Sequence, residues 1–82
     1  MSTIITRLKN ELSELLSIAH VSENDTLEDL GADSLDIVDI CSLVEDDFSI
    51  EVAEFEITLK TTVAELAALI ESRQQSPQNI NK

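Results

Sequence analysis

The segment Asp33-Ser34-Leu35-Asp36, two residues after the chain's single glycine at Gly31, concentrates the residues able to do chemistry. A serine at the start of a helix lies beside unpaired N–H groups and the positive end of the helix dipole. That setting favours a phosphate or a phosphoester. The carboxylates of Asp33 and Asp36 oppose a bare phosphate. They help when the enzyme that installs it brings Mg²⁺ or basic side chains. Taken alone, a serine near a helix start is most often simply a cap, and Ser34 or Asp33 reads so by itself. Serine hydrolysis needs a base near the nucleophile. His20, the only histidine, lies fourteen residues before Ser34 and reads as a residue at the end of the first helix, and no Gly-x-Ser-x-Gly elbow is present. Cys41, the single cysteine, forms no internal disulfide or Cys-rich zinc site; between Ile37 and Val44 it reads as a small buried hydrophobe. A calcium loop of the EF-hand type fails from either start: Asp25 puts leucine at its third and sixth places, Asn24 puts Asp29 where glycine is required. No catalytic residue and no metal-ligand set is assigned.

The elements that position Ser34 read as helices. Ile4, Ile5, Leu8, Leu12, Leu15 and Leu16 recur at spacings of three and four and predict a helix over 3–18, capped by Ser2 or Thr3. Residues 19–33 read as a long loop, with Leu27 and Leu30 pinning it to the core and Gly31 supplying a positive φ. A second helix is expected over 34–48 with Asp33 as its N-cap. At about 100° per residue, Ile37, Val38, Ile40, Cys41, Val44 and Phe48 gather on one side. Asp36, Asp39, Asp46 and Asp47 gather opposite, with Leu43 among them and Leu35 at the edge, as suits a contact face. Residues 49–60 fit either helical or strand spacing, and a short helix near 53–58 is preferred because a lone strand has no partner. Thr62 and Glu65 have capping-box spacing for a last helix over 62–73, with Val63, Leu66, Ala67, Leu69 and Ile70 inward. The fold class is all-α: a small antiparallel bundle of three longer helices and one short one, with a long first loop. Residues 1–75 form the domain and the polar stretch 76–82 is expected to fray.

Charge and composition exclude several classes. The 82 residues hold 17 Asp and Glu against 5 Lys and Arg, for a net charge of -12. No Lys or Arg occurs between Lys9 and Lys60, a stretch that holds fifteen acids. Nucleic-acid and anionic-membrane binding draw on Lys and Arg and are not expected. No apolar run has the length of a membrane span and no signal peptide opens the chain, so a cytoplasmic protein is expected. One glycine and one proline argue against a many-stranded fold. The one-signed surface suits docking to basic partners by long-range attraction, and repulsion between copies makes a monomer the expected state.

The run Asp29-Leu30-Gly31-Ala32-Asp33-Ser34-Leu35-Asp36 resembles the attachment motif of bacterial acyl carrier proteins, an Asp-Ser-Leu preceded by Leu-Gly-Ala. The resemblance extends through Glu45-Asp46-Asp47-Phe48, Phe55 and Thr61-Thr62-Val63, over roughly residues 3–73. It implies 4′-phosphopantetheine joined by a phosphodiester to Ser34, with acyl chains held as thioesters on the arm and shuttled between enzymes, by default in fatty-acid biosynthesis. It implies no chemistry by the protein itself. It implies a partner-recognition face of Asp33, Leu35, Asp36, Asp39, Glu45 and Asp46, which phosphopantetheinyl transferase and acyl-processing enzymes meet with basic patches. Cys41, Ser42 and Ala53 depart from the family's pattern; they leave the attachment chemistry untouched and the cargo open. A specialised carrier for polyketide or other lipid assembly is the nearest alternative. A non-carrier acidic interaction protein is the alternative from another class.

Overall fold

The computed structural model describes residues 3–53 and 55–75, Gln75 by its backbone alone. Within them the chain forms three α-helices and no strand: α1 (Thr3–Leu16), α2 (Ser34–Phe48) and α3 (Val63–Gln75). Met1, Ser2, Glu54 and the stretch 76–82 lie outside the described residues, and with them the Ser2 cap and the fraying tail.

The expected faces of α1 and α3 are the buried ones. Leu8 and Leu12 are fully buried on α1, with Ile4, Ile5, Leu15 and Leu16 packed around them. Val63, Leu66, Ala67 and Ile70 are buried on α3, with Leu69 at the margin. α3 packs mainly on α1 and less on α2. No polar or charged residue is buried among the described ones, so every described acid stays at the surface.

The helices stop and start through short local bonds. α1 ends at Leu16, two residues before the expected end, because Ser17 turns left-handed at φ 55° and the Ile18 amide donates 3.0 Å to the Ser13 carbonyl, a Schellman closure. His20 is thus an exposed residue of the connection and not a helix terminus. Thr62 and Glu65 cap α3 reciprocally, Thr62 N to Glu65 Oε1 at 3.0 Å and Glu65 N to Thr62 Oγ1 at 3.1 Å.

The long first connection is not loose. The amides of Leu27 and Glu28 donate 3.0 Å to the carbonyls of Thr61 and Leu59. The amides of Val63 and Ala64 donate back to Asp25 and Glu23, and Thr26 and Thr62 form an isolated antiparallel bridge. Leu27 and Leu30 pin the segment into the core as expected.

The short helix expected near 53–58 is not formed by the described residues of that segment, which instead make turns. Inside the expected helix the Thr58 amide goes to a side chain, Thr61 Oγ1, at 3.0 Å, and the Glu56 amide closes a turn on the Ala53 carbonyl at 3.0 Å. Such local side-chain bonds compete with helical ones. The turns drive Ile57 inward, 1% exposed, and leave Phe55 outside, 87% exposed.

Candidate functional site

The approach to Ser34 begins with a single tight turn. Thr26 and Asp29 bond reciprocally, Thr26 N to Asp29 Oδ2 at 3.1 Å and Asp29 N to Thr26 Oγ1 at 3.0 Å. The Ala32 amide closes the turn by donating 3.1 Å to the Leu27 carbonyl. Gly31 takes φ +96°, and a Cβ built there meets nothing within 4 Å, so the need for glycine lies in the backbone angle and not in space. Leu30 and Ala32, both buried, anchor the chain on either side of it. The chain then turns outward.

Asp33 is the N-cap of α2, as expected, with extended backbone. Its Oδ1 accepts the amides of Leu35 and Asp36, each at 3.0 Å, and Asp36 Oδ2 accepts the Asp33 amide at 3.0 Å. The Ile37 amide donates to the Asp33 carbonyl. These bonds change the expected electrostatics. The first-turn amides that would receive a phosphate are largely taken by Asp33, so an anion on Ser34 is presented to solvent rather than cradled. Ser34, the first residue of α2, is exposed, and no described residue hydrogen-bonds its hydroxyl.

The outer face of α2 differs from the wheel. Val38, placed with the buried residues, is 62% exposed, whereas Leu43, placed among the acids, is half-buried against the core. The buried line runs Ile40, Val44, Phe48, one step every four residues. Leu43 and Ile37 flank it, and Asp36 and Asp47 sit half-buried beside Leu43. The solvent face carries Leu35, 76% exposed, with Val38, Asp39, Ser42 and Asp46. The expected acidic stripe therefore splits. Asp39 and Asp46 face solvent with two large apolar side chains, while Asp36 serves the cap and Asp47 turns to Glu11 of α1. A wheel drawn on one helix averages its apolar direction and takes no account of what packs on α2, which includes α3 and Val52.

Glu45 is held internally: its Oε2 accepts the Val52 amide at 2.9 Å. This bond was not visible in the sequence, since it runs from the last turn of α2 to the irregular chain seven positions on. Glu45 also borders a cavity of about 200 Å³ lined by Ile37, Val38, Cys41, Ser42 and Val52. Cys41 is half-buried there and not fully enclosed.

Asp47 raises the Glu11 carboxyl above the ordinary glutamate value, chiefly by hydrogen bonding to it, with burial and the charges of Asp47 and Glu14 acting the same way against Arg7. The described cations are engaged away from α2's solvent face. Lys60 pairs with Glu28 at 2.7 Å, Lys9 with Glu23 at 3.6 Å, Arg73 with Glu56, and Arg7 lies 5.0 Å from the Phe48 ring centroid. The acids around Ser34 thus have no ion-pair partner among the described cations.

A group attached through an oxygen fits this site: an exposed, unbonded hydroxyl on a rigid helix start, with its flanking carboxylates tied back to the backbone. Residues 6–70 match a known protein family, described as the phosphopantetheine attachment site. Domains of this family carry 4′-phosphopantetheine covalently on a serine, are modified by phosphopantetheinyl transferases and are visited by acyl-processing enzymes. The match runs from within α1 to within α3 and takes in the whole approach to Ser34, and the chain belongs to this family of phosphopantetheine-bearing carrier domains.

Proposed function

We propose that Ser34 is the serine that bears the arm and that the protein is an acyl carrier of the bacterial type working in fatty-acid biosynthesis. The exposed Ser34 hydroxyl at the first residue of α2, without a hydrogen-bond partner among the described residues, is the observation that carries this reading. The arm, once attached, supplies a thiol on which acyl groups are held as thioesters. The chain's own part is presentation. Leu30 and Ala32 hold the approach, Asp33 and Asp36 lock the helix start, and Ser34 projects into solvent where enzymes reach it. The protein is not an enzyme in this reading, and its helices run antiparallel as in a small bundle.

Asp33, Leu35, Asp36, Asp39, Glu45 and Asp46 are the partner face in the same proposal. Leu35 and Asp39 suit it best, being exposed beside Ser34, and the exposed Val38 joins them. Asp33 and Asp36 each keep one carboxylate oxygen outside the cap bonds, which leaves their charge available to a partner. Glu45 contributes its charge while tied to Val52. Encounters steered by such a surface are fast and weaken with salt. The place of action is the cytoplasm and the working form is a monomer.

A second reading, a specialised carrier for polyketide or other lipid assembly, is favoured by Cys41 and Ser42, which give the cavity beside α2 a lining smaller and more polar than leucine or isoleucine. The test of the main proposal is an intact mass after incubation with coenzyme A, Mg²⁺ and a broad-specificity phosphopantetheinyl transferase. A gain of one phosphopantetheine group, absent in Ser34→Ala, is expected. No gain from folded, unmodified protein with an active transferase overturns Ser34 as the site.

A further inference from the structure

The cavity beside α2 is small. Its volume of about 200 Å³ lies below the roughly 300–1,000 Å³ of ordinary ligand pockets. Four of its lining residues besides Glu45 lie on α2, and α2 is fixed by its cap and its buried line. The remaining lining residue, Val52, belongs to the segment 49–56, which has no regular secondary structure among its described residues. That segment is fastened at its ends by buried Phe48 and Ile57. Between them, side chains hold it. Glu45 takes the Val52 amide, Arg73 donates to the Glu51 carbonyl at 2.7 Å and pairs with the Glu56 carboxylate, and Gln74 donates to the Phe48 carbonyl at 3.0 Å. Phe55 adds no burial to the hold, at 87% exposed. The segment also borders an open cleft of about 830 Å³ lined by Glu45, Ser49, Ile50, Glu51, Arg73 and Gln74, so it has room to move outward.

We infer that 49–56 is a strap whose fastening by Arg73 sets how long an apolar cargo the cavity accepts. This rests on the carrier function proposed above, since the arm on Ser34 is what brings an acyl chain to the cavity. A short chain fits behind the fastened strap. A longer one displaces Val52, and that displacement breaks the Arg73 contacts with Glu51 and Glu56 together with the Glu45 bond to the Val52 amide. Arg73 is a positioning residue here, acting on the cavity through the strap. Its ion pair is solvent-exposed, so the threshold it sets is modest and salt-sensitive.

The experiment compares the wild type with Arg73→Met, Glu56→Gln and, as a control for loss of an ion pair elsewhere, Lys60→Met, which breaks the contact with Glu28. Amide hydrogen exchange is read first, on the protein without its arm. Exchange at Val52 is expected to rise roughly five-fold in the first two variants, as for loss of a well-made exposed pair, and to stay at the wild-type rate in the control. Each protein is then loaded from acyl-coenzyme A donors running from butyryl to dodecanoyl, and its melting temperature is followed against chain length. In the wild type the gain is expected to level off at a short chain; in Arg73→Met and Glu56→Gln the plateau moves to a longer chain. Unchanged Val52 exchange overturns the strap. Unchanged plateaus with faster exchange overturn its control of cargo. Failure to load any donor on Ser34 overturns the carrier proposal and the cargo role with it, while the exchange result still judges the strap.

Discussion

Segment 17–33 and segment 49–56 lie in the two connections between helices, and their described residues form no helix or strand, yet they are held by different kinds of bond. The first is stitched to residues 59–64 by backbone hydrogen bonds and sends Val21, Leu27, Leu30 and Ala32 into the core. The second is held mostly by side chains from α2 and α3, and its apolar residues Ile50 and Val52 are only half-buried. The first connection positions Ser34, whose place must not vary if enzymes are to find the arm proposed on it. The second borders the cavity, whose size has to vary if the cargo does. Length alone ranks the two the wrong way round, because the longer segment is the firmer. What decides is whether backbone groups find backbone partners and how much apolar surface the segment buries.

The sharpest way to break this contrast is to remove one apolar anchor from each segment. Leu27 is fully buried, and Leu27→Ala is expected to cost about 2–5 kcal/mol. In a domain this small that is a fall in melting temperature of more than about 10 °C. Val52 is half-buried, and Val52→Ala is expected to cost about 1 kcal/mol or less. Thermal unfolding followed by circular dichroism measures both. Equal losses would sink the distinction.

Gly31 tests the firm segment through its backbone. Its φ of +96° with open space around the Cβ position predicts that Gly31→Ala destabilises by about 1–2 kcal/mol through strain alone. A D-alanine placed there by chemical synthesis is expected to be tolerated, since its preferred φ has the opposite sign. If both alanines destabilise equally, a contact and not the angle is what requires glycine.

Much of the firm segment and of the site was legible in the sequence because its devices are local. Asp33 before an apolar run, Thr62 three residues before Glu65, and Gly31 ahead of a helix each signal a bond or an angle within a few residues. Thr26 and Asp29 carry the same reciprocal spacing, and that pattern would have revealed the turn leading to Ser34. The bridge between Thr26 and Thr62 joins residues far apart in the chain and has no local signature. The exchange of Val38 and Leu43 between outer and inner faces is likewise set by what packs on α2 and not by α2 itself. The expected helix near 53–58 yields to turns where Thr61 takes the Thr58 amide, while Arg73, seventeen residues beyond Glu56, draws that carboxylate to α3. The helices and the proposed attachment site rest on short-range patterns; the proposed strap rests on long-range ones.

The smallest expected effect is in pH, and it separates the two segments by sign. Arg73, by hydrogen bonding and then by charge, with the Ala53 amide adding to it, holds the Glu56 carboxyl below the ordinary glutamate value. The stability this contributes is present above the unfolded value and is lost as pH falls through the folded one. Glu28, by hydrogen bonding and charge, raises Lys60 above the ordinary lysine value. That contribution is present below the unfolded value and is lost as pH rises through the folded one. Strong acid therefore loosens the strap and strong alkali loosens the stitched segment where Lys60 meets Glu28. Glu11 adds a third sign. Its carboxyl is raised by Asp47, so the folded protein binds a proton more readily than the unfolded chain, and stability rises as pH falls from neutrality through the raised value to the ordinary one. Melting temperatures across mildly acidic pH are expected to show this gain in the wild type and to lose it in Glu11→Gln. The variant should already be the more stable protein at neutral pH, by about 0.5 kcal/mol or less, as for substitutions near the surface. A gain in mild acid that survives Glu11→Gln would assign it to other acids of the crowded surface and free the Glu11–Asp47 contact from any part in how α1 meets the end of α2.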